Sequence, residues 1–385
     1  MRLGVLVIFL LSIPLLGVSS PADSLETALK TAKGDLKVKT LNELFRAYIN
    51  SDPVKAIGYT REALALATEI DDRKGMAASY NNLGVAYRTQ GALDKALEYY
   101  LISLRIYDNL KNKEGIGTAK NNIGTIYSLK KDYGQAMKYF EESHAMFTEM
   151  GDQKKIVGSM NNLGNLHSDL QLYEQAMKYY SQAWQLSEKQ KKPFSDPLIN
   201  IGNVYYKQGN YQKAVEYYER GLELAKKEND NLIILNIIAN LGEVYTRAGQ
   251  PKQAQEYLEQ ALQMTKDLQT YIGEPQILKS MATNYARQGK HREAYETMLL
   301  YDKSKERIYG EESSRKIAQM EVALDIQERE EEFDQLKKDD EIKTLQLRNT
   351  RMIITSVVLG LVILIAFFNL IYAKRKSKTS QNAEK

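Results

Sequence analysis

The sequence predicts an all-α protein, in which an α-solenoid of about seven stacked helix pairs precedes a long helix and one transmembrane helix. Three markers that recur in register predict the solenoid. An alanine returns in steps of 40 residues, with one step of 38, at Ala56, Ala96, Ala136, Ala176, Ala214, Ala254 and Ala294. A glycine lies twelve residues before five of these alanines, at Gly84, Gly124, Gly164, Gly202 and Gly242. An aromatic residue recurs in phase at Tyr87, Tyr127, Tyr205, Tyr245 and Tyr285, and His167 takes its place in the fourth unit. Such a fixed period is typical of repeats that bury their apolar faces against their neighbours.

Residues 1–22 have the pattern of a secretory signal peptide. The apolar run of residues 3–18 follows a positive charge, is interrupted by Pro14, and is short for a membrane span. Small residues near Ala22 favour cleavage there, and residues 23–35 then lead into the repeats. An uncleaved N-terminal anchor is the alternative, and both interpretations place the repeats outside the cytoplasm.

Each unit of the array, within residues 36–309, is predicted to be two antiparallel helices joined by a short loop. In the clearest unit, Leu83 and Tyr87 share one face of a first helix, and Gly91 marks its end. A second helix with apolar residues at helical spacing follows from Asp94 to Tyr107. The small glycine and alanine let the two helices approach closely, and the aromatic residues fill the wider gaps beside them. Most of the 26 tyrosines are therefore predicted to be packing residues.

This pattern resembles the tetratricopeptide repeat. The residues that carry the resemblance are Leu83, Gly84, Tyr87, Ala96 and Tyr100, and the pattern recurs over about residues 36–305. The units are 40 residues long rather than about 34, and the proline near the end of the family's repeat is absent. Leu44 and Ala282 replace the glycine in the first and last units, as expected of terminal caps. The proline-bearing junction at residues 192–197 is two residues short and predicts a local kink.

The resemblance implies that the first helices line the concave wall of a superhelix, where a ligand binds. Residues two before the glycine position then point inward, and six of the seven are asparagines: Asn42, Asn82, Asn122, Asn162, Asn200 and Asn240, with Ser280 last. A carboxamide both donates and accepts, so it can pair with the backbone of an extended peptide. The alternative is that each asparagine ties its own helix to the next one.

A second candidate set is basic and lies about one turn further along the first helices. It comprises Arg88, Lys207, Arg247 and Arg287, whereas Leu129 and Asp169 occupy the matching places in the third and fourth units. The C-terminal half of the groove is thus predicted to be the more basic half. An acidic segment or a C-terminal carboxylate is the expected ligand end. Ordinary solvated helix charge is the alternative explanation.

Residues 310–351 are predicted to form a helical stalk. They are rich in Glu, Lys, Gln and Asp, and Ile317, Met320 and Leu324 follow heptad spacing. Asp340 breaks the seam further on, so the pattern favours a short, weak coiled coil that pairs two chains as a homodimer. A lone solvated helix is the alternative.

Residues 352–372 are predicted to cross the membrane once. They contain no charged residue, and 21 residues at about 1.5 Å each span roughly 31 Å, the thickness of a bilayer core. Residues 373–385 form a short basic tail, which favours a cytoplasmic C-terminus. Together with the export signal, this predicts a single-pass protein of the inner (cytoplasmic) membrane with a periplasmic repeat region.

The composition gives no reason to expect catalysis, a cofactor, a metal site or nucleic-acid binding. The net charge is +4, cysteine is absent, and the three histidines lie in three different units. The sequence has no phosphate-binding glycine loop and no nucleophile elbow. The chain is therefore expected to be a binding protein and not an enzyme.

The order of segments resembles the sensor half of bacterial membrane-bound signalling proteins of the Bacteroidetes type. The relatives implied by this resemblance carry a histidine kinase or a helix-turn-helix domain after the span, and residues 373–385 can hold neither. The resemblance implies a membrane-anchored interaction module that binds a protein or peptide and passes its occupancy to a separate kinase or regulator. A structural scaffold for envelope or secretion machinery is the alternative. An enzyme fragment that has lost its catalytic part is a third.

Overall fold

A computed structural model describes residues 21–190, 193–309, 338, 342–359, 361 and 364 of the chain. The chain divides into two compact units, Met1–Ser314 and Arg315–Lys385. The described residues of the first unit form these helices: α1 (Pro21–Leu29), α2 (Gly34–Tyr48), α3 (Pro53–Glu69), α4 (Arg73–Thr89), α5 (Leu93–Asn109), α6 (Lys113–Leu129), α7 (Tyr133–Met150), α8 (Gln153–Asp169), α9 (Tyr173–Glu188), α10 (Asp196–Lys207), α11 (Tyr211–Glu228), α12 (Asn231–Arg247), α13 (Pro251–Asp267), α14 (Glu274–Arg287) and α15 (His291–Tyr309).

The helices from α2 to α15 pair in the order of the chain, as the repeat pattern predicts. We call the even-numbered members, α2 to α14, the first helices, and the odd-numbered members, α3 to α15, the second helices. Each first helix packs against the second helix of its own unit and that of the unit before it. Successive first helices also contact each other from α2 to α10, and α12 contacts α14, so the first helices form a wall. The predicted all-α solenoid of about seven pairs is thereby confirmed.

The ends of the helices are fixed by local polar chemistry. The side chain of Asp72 accepts a hydrogen bond of 2.9 Å from the backbone N–H of Gly75, and Asn112 does the same for Gly115. Such caps satisfy N–H groups that have no partner within the helix. The same kind of cap begins other helices at Asp52, Asp132, Asp152, Asn210 and Asp230. Gly91 follows α4 with a left-handed backbone (φ +78°), which ends the helix at little steric cost.

The periodic alanines and glycines lie at the contact between paired helices. All the marker alanines from Ala56 to Ala254 are completely buried. A Cβ atom added at Gly84 would lie 2.5 Å from Cε1 of Tyr100, which is itself completely buried. The same pairing joins Gly124 to Phe140. The second-helix aromatic ring therefore packs directly onto the glycine, and not beside it as the sequence suggested.

The other aromatic marker forms a column of ring pairs. Tyr87 stacks on Tyr99 with ring centroids 5.3 Å apart, and Tyr127 stacks on Tyr139 at 5.6 Å. Equivalent pairs join His167 to Tyr179, Tyr205 to Tyr217 and Tyr245 to Tyr257. Offset aromatic pairs at such distances add to the stabilisation that their buried area provides. These tyrosines are packing residues, as predicted, and His167 fills a tyrosine place in the stack.

Helix α1 is held against the first unit by the packing of Leu29 on its core and by a group of hydrogen bonds to one carboxylate. Glu26 accepts hydrogen bonds from Tyr48 Oη at 2.6 Å, Lys55 Nζ at 2.7 Å and Tyr59 Oη at 3.1 Å. The bonds from Lys55, Tyr48 and Tyr59 favour the ionised form and lower the pKa of Glu26 to about 2. The segment 23–35, expected only as a lead-in, thus contains a helix that caps the array.

The junction between α9 and α10 is the longest link between helices from α2 to α15. In it, Phe194 donates its backbone N–H to Ser187 Oγ at 2.5 Å. Lys191 and Lys192 lie outside the described residues. The helix that follows, α10, has 12 residues where α8 has 17, yet it packs against α9 and α11 as the other first helices pack against their neighbours. The kink stays a prediction.

The second unit is described at residues 338, 342–359, 361 and 364, which are helical and exposed. Most of the predicted stalk at residues 310–351 lies outside the described residues, as does most of the predicted span at residues 352–372. The expected signal peptide, apart from its last two residues, and the basic tail at residues 373–385 lie outside them too. Within the described part of the chain, no helix combines the length and apolar character that a membrane crossing requires.

Candidate functional site

The predicted asparagines of the N-terminal units form hydrogen bonds between neighbouring first helices. Asn82 on α4 donates from Nδ2 to Asn42 Oδ1 on α2 at 2.8 Å, and both side chains are buried. In the next units the acceptor is the residue that precedes the predicted asparagine. Asn122 donates to Asn81 Oδ1 at 2.8 Å, and Asn162 donates to Asn121 Oδ1 at 2.7 Å. We call this chain of amides from Asn42 to Asn162 the asparagine ladder.

The ladder stops at the irregular junction. Asn161 corresponds to Asn81 and Asn121, and it is only 7% exposed. Its Oδ1 has no hydrogen-bond partner in the described part of the structure. Asn200 would supply that partner in a regular array, but its unit begins two residues early in the sequence. Asn240 donates instead to Asn236 Oδ1 of its own helix at 3.1 Å.

The ladder shows that three predicted ligand-binding residues, Asn82, Asn122 and Asn162, already hold neighbouring units together. That contact is the structural role which the sequence left open as an alternative. A peptide that used these amides would have to exchange existing hydrogen bonds. Their role in binding stays a prediction.

Two of the predicted basic residues also reach back to the preceding unit. Lys207 Nζ lies 3.0 Å from Ser168 Oγ and 3.3 Å from Asp169 Oδ1, at the end of α8. Arg287 donates to the carbonyl oxygen of Thr246 at 2.8 Å, at the end of α12. Positive side chains are favoured there, because the last carbonyl groups of a helix carry its negative pole. Lys207 and Arg287 thus act as clasps, in that each binds the preceding unit.

The other two basic residues do not continue this row. Arg247 lies beside Tyr206, whose hydroxyl donates to Glu243 Oε1 at 2.7 Å. Burial, followed by that bond to Glu243, raises the pKa of Tyr206 to about 12. Arg88 lies four residues after its marker glycine, whereas Lys207 lies five after its own. Arg88 is half-buried near Tyr100, where its charge partly offsets the rise in the tyrosine pKa that burial causes.

A groove of about 540 Å³ lies on the wall formed by α2, α4 and α6, and we call it the N-terminal groove. Its lining comprises Asp35, Val38, Lys39, Asn42, Glu43, Arg46, Asp72, Lys74, Gly75, Ala78, Asn81, Tyr107, Asn112, Glu114, Gly115 and Thr118. The volume lies within the range of ligand pockets, about 300–1,000 Å³. Ala78, Gly75 and Gly115 contribute little or no side chain to this lining.

The N-terminal groove carries charges of both signs. Lys39, Arg46 and Lys74 are exposed basic residues of the lining, and Glu114 is an exposed acidic one. Some of these charges are already paired, because Lys39 lies 3.9 Å from Glu43, and Glu114 accepts a hydrogen bond from Lys155. The lining can therefore contact a ligand of mixed charge.

This groove was not predicted from the sequence, because the recurring basic residues favour a ligand site in the C-terminal half. One available signal was the pair Gly75 and Gly115, which are 40 residues apart and lie in the first turns of α4 and α6. Lys155 takes the equivalent place in the next unit. In the structure, Gly115 lies against the ring of Tyr107, where a Cβ atom would collide with it. A glycine that recurs in two units only marks a local feature and not a rule of the repeat.

Two of the three histidines of the array, His144 and His167, form local hydrogen-bond contacts. His144 Nδ1 lies 2.8 Å from Ser159 Oγ, and burial lowers the pKa of His144 below its ordinary value. His167 Nδ1 lies 2.8 Å from the carbonyl oxygen of Leu163. Among the residues that the structure describes, no group of three or more histidine and carboxylate side chains could hold a metal ion.

Comparison with known proteins identifies the repeat. A family model described as tetratricopeptide repeat matches residues 47–109, 75–149, 115–189 and 193–267, which together make up more than half of the chain. No curated protein matches the sequence.

The described fold is also similar to several solved structures. One is a Rap protein complexed with competence and sporulation factor (16% identity, TM-score 0.60, covering 74% of this chain and 80% of that one). Another is a Rap conjugation gene regulator in complex with a Phr peptide (18% identity, TM-score 0.55, covering 77% and 78%). A third is aspartyl phosphate phosphatase F from Bacillus subtilis (19% identity, TM-score 0.53, covering 74% and 75%). At these identities the similarity establishes the fold.

Proposed function

Because the chain belongs to the tetratricopeptide repeat family, we propose that it is a protein–protein interaction module whose N-terminal groove binds an extended protein or peptide segment. The observation that carries the proposal is the groove between α2, α4 and α6, with its open volume and its lining of both charges. Two proteins of similar fold are seen in complexes with competence and sporulation factor and with a Phr peptide. These complexes support a peptide as the class of ligand.

The energetics favour the N-terminal groove over the asparagine ladder as the main contact surface. A peptide bond to Asn122 or Asn162 replaces an existing bond between units, and the exchange of one hydrogen bond for another contributes little net free energy. Side chains in the groove such as Arg46 and Lys74 are exposed to solvent, so a ligand can add contacts there. The ladder then sets the geometry of the wall on which the ligand lies.

The experiment places a tryptophan side chain in the groove and, as a control, at the equivalent position of another first helix. The peptide affinities of the two variants are then compared. Ala78 lines the groove on α4, and Asn236 is the equivalent exposed residue on α12. Peptides are first selected from a random library on the full-length protein, and their affinities are then measured for Ala78→Trp and Asn236→Trp. We expect at least a tenfold loss for Ala78→Trp and no change for Asn236→Trp.

A loss of affinity in Asn236→Trp, with no change in Ala78→Trp, would place the binding surface in the C-terminal half. There Lys207, Arg247 and Arg287 predict an acidic ligand end. A triple alanine variant of these three residues tests that second location directly. If no peptide distinguishes the wild type from any of these variants, the wall is not the binding surface and the proposal fails.

We also propose that the module is exported and anchored by a single span, with the repeats outside the cytoplasm and the stalk pairing two chains. The support is the sequence pattern of residues 1–22, 310–351 and 352–372. Reporter fusions test this topology. Alkaline phosphatase, which folds only outside the cytoplasm, should be active after residue 309 and inactive after residue 385. Activity at neither site would refute the export.

The proposed role is the input or adaptor part of a signalling system, with binding rather than catalysis as the chemistry. A separate kinase or regulator would then associate with the protein in a ligand-dependent manner. The alternative, a structural scaffold for envelope or secretion machinery, predicts the same partners with or without ligand. Crosslinking in intact membranes, with wild type and Ala78→Trp as baits, distinguishes these two roles. A signalling role predicts that Ala78→Trp recovers different partners from wild type, and a scaffold role predicts that both recover the same partners.

A further inference from the structure

The last helix of the array, α15, has an apolar face that no other helix of residues 21–309 covers. In the unit before it, Leu258 on α13 is completely buried between α12 and the helices that follow. Met298 occupies the equivalent place on α15, 40 residues later, and is 41% exposed. The exposure follows from the architecture, because each second helix is otherwise covered by the first helix of the next unit.

The sequence of α15 adds apolar residues where a solvated end would carry polar ones. Leu299 and Leu300 are 49% and 54% exposed, and the equivalent residues of α13 are Glu259 and Gln260. Tyr295 is 65% exposed on the same helix. Terminal repeats of stable arrays normally have a polar outer face. An apolar terminal face of this kind is typical of an interaction surface.

The charged residues around Leu299 form a pattern that is complementary to itself. Arg292, Glu296, Leu299, Lys303 and Glu306 recur at helical spacing and share one strip of α15, within which Arg292 also forms an exposed ion pair of 2.9 Å with Glu296. An exposed pair of this kind contributes little, so both charges can meet a partner. From the N-terminal end the order of charges is basic, acidic, basic, acidic, with Leu299 in the middle. From the C-terminal end the order is acidic, basic, acidic, basic, so an antiparallel copy places opposite charges together. Arg292 and Glu306 each lie seven residues from Leu299, or about 10 Å along the helix.

We propose that this strip, rather than the side of α15 that carries Met298, binds the same strip of a second copy of the chain, with the two α15 helices antiparallel about a two-fold axis at Leu299. Arg292 then meets Glu306 of the partner subunit, and Glu296 meets Lys303 of the partner subunit. A two-fold contact uses the same patch on both chains, so one self-complementary strip satisfies both halves. Parallel pairing would instead place like charges opposite each other. This contact does not depend on the N-terminal groove or on the stalk.

The test is a charge exchange, measured by sedimentation equilibrium of the full-length protein in a non-ionic detergent. Arg292→Glu alone and Glu306→Arg alone each put like charges together at both ends of the contact, and we expect each to weaken self-association at least tenfold. An equimolar mixture of the two variants should associate as strongly as wild type, because each chain then carries the charges that the other lacks. Glu293→Arg, on an exposed position outside the strip, is the matched control and should self-associate as wild type does.

Restoration in the mixture identifies a contact between chains, since Arg292 and Glu306 lie too far apart to meet within one helix. Leu299→Asn is a second variant and should weaken self-association at least tenfold without changing the helical circular dichroism signal. The proposal is overturned by a monomeric wild type, by single variants that still associate as wild type does, or by a mixture that stays monomeric. Single variants that still associate would place the pairing elsewhere, for instance in the stalk.

Discussion

Removal of the Asn121 carboxamide should destabilise the array, and removal of the Asn161 carboxamide should not. The two residues are equivalent in the repeat, because each lies three residues before its marker glycine. Asn121 Oδ1 accepts the 2.7 Å hydrogen bond from Asn162, whereas Asn161 Oδ1 is buried without a partner among the described residues. The substitutions Asn121→Ala and Asn161→Ala are therefore a matched pair that differs in one hydrogen bond.

The expected difference can be estimated from that bond. An intramolecular hydrogen bond contributes about 0.5–1.5 kcal/mol net, and a buried partner left unsatisfied costs about 1–3 kcal/mol. Asn162 is half-buried, so its unpaired amide regains some contact with water and the cost falls in the lower part of these ranges. Alanine is the better helix former by roughly 0.5 kcal/mol, but this gain is equal in both variants and cancels. We expect Asn121→Ala to be less stable than Asn161→Ala by about 1–2 kcal/mol.

Thermal unfolding of the full-length protein, followed by circular dichroism, measures the difference. For a domain of this size, 1 kcal/mol corresponds to a shift in the unfolding midpoint of about 2–4 °C. Asn161→Ala should unfold at or above the wild-type midpoint, because it removes a buried amide oxygen that has no partner among the described residues. Equal losses in the two variants would mean that these side chains stabilise the wall by packing alone. The hydrogen bonds of the asparagine ladder would then make no measurable contribution to stability.

Three further measurements address packing and pH. Gly164→Ala puts a methyl group against the buried ring that faces it on α9 and should cost about 1–3 kcal/mol in urea unfolding, whereas Gly158→Ala, in the same helix with no atom within 4 Å, should stabilise by roughly 0.5–1 kcal/mol. The lowered pKa of Glu26 predicts that hydrogen-exchange protection of α1 persists down to about pH 4 and weakens as the pH falls toward about 2; in Glu26→Gln the protection should not depend on pH in this range, because the amide does not titrate. The lowered pKa of His144 predicts that stability declines as the pH falls below about 6.5, since the unfolded chain binds the proton more readily, and His144→Gln should remove this slope.

The repeating part of the fold could be predicted because its signals are local and periodic. The predicted second helix from Asp94 to Tyr107 corresponds to α5 at Leu93–Asn109. The marker alanines are buried because a residue at that spacing faces the partner helix in every unit. The direct contact between Gly84 and Tyr100 was not predicted, because it depends on the relative rotation of two helices. Sequence spacing fixes which face is inward, but not which residue of that face meets the ring.

The details of the candidate site could be predicted only in part, for the same reason. The sequence placed Asn122 on the inner wall, yet its partner is Asn81 and not Asn82. Which asparagine accepts the bond depends on how far each first helix is shifted along its neighbour. The repeat pattern does not specify this shift. The hydrogen bond from Arg287 to the preceding unit was also not predicted. Its acceptor is a backbone carbonyl group, and every residue type carries one.

The division between repeated and unrepeated residues has a consequence for ligand recognition. Groups that recur in register, such as the ladder amides, are used to hold successive units, so a ligand that contacts them gains little net free energy. The basic side chains of the N-terminal groove do not recur: the places 40 residues after Arg46 and Lys74 hold Ala86 and Glu114. Selectivity among peptides should therefore come from these unrepeated side chains. A set of selected peptides whose ranking changes in Arg46→Ala and Lys74→Ala, but not in Asn121→Ala, would fit this division, and a ranking that follows the ladder variant would contradict it.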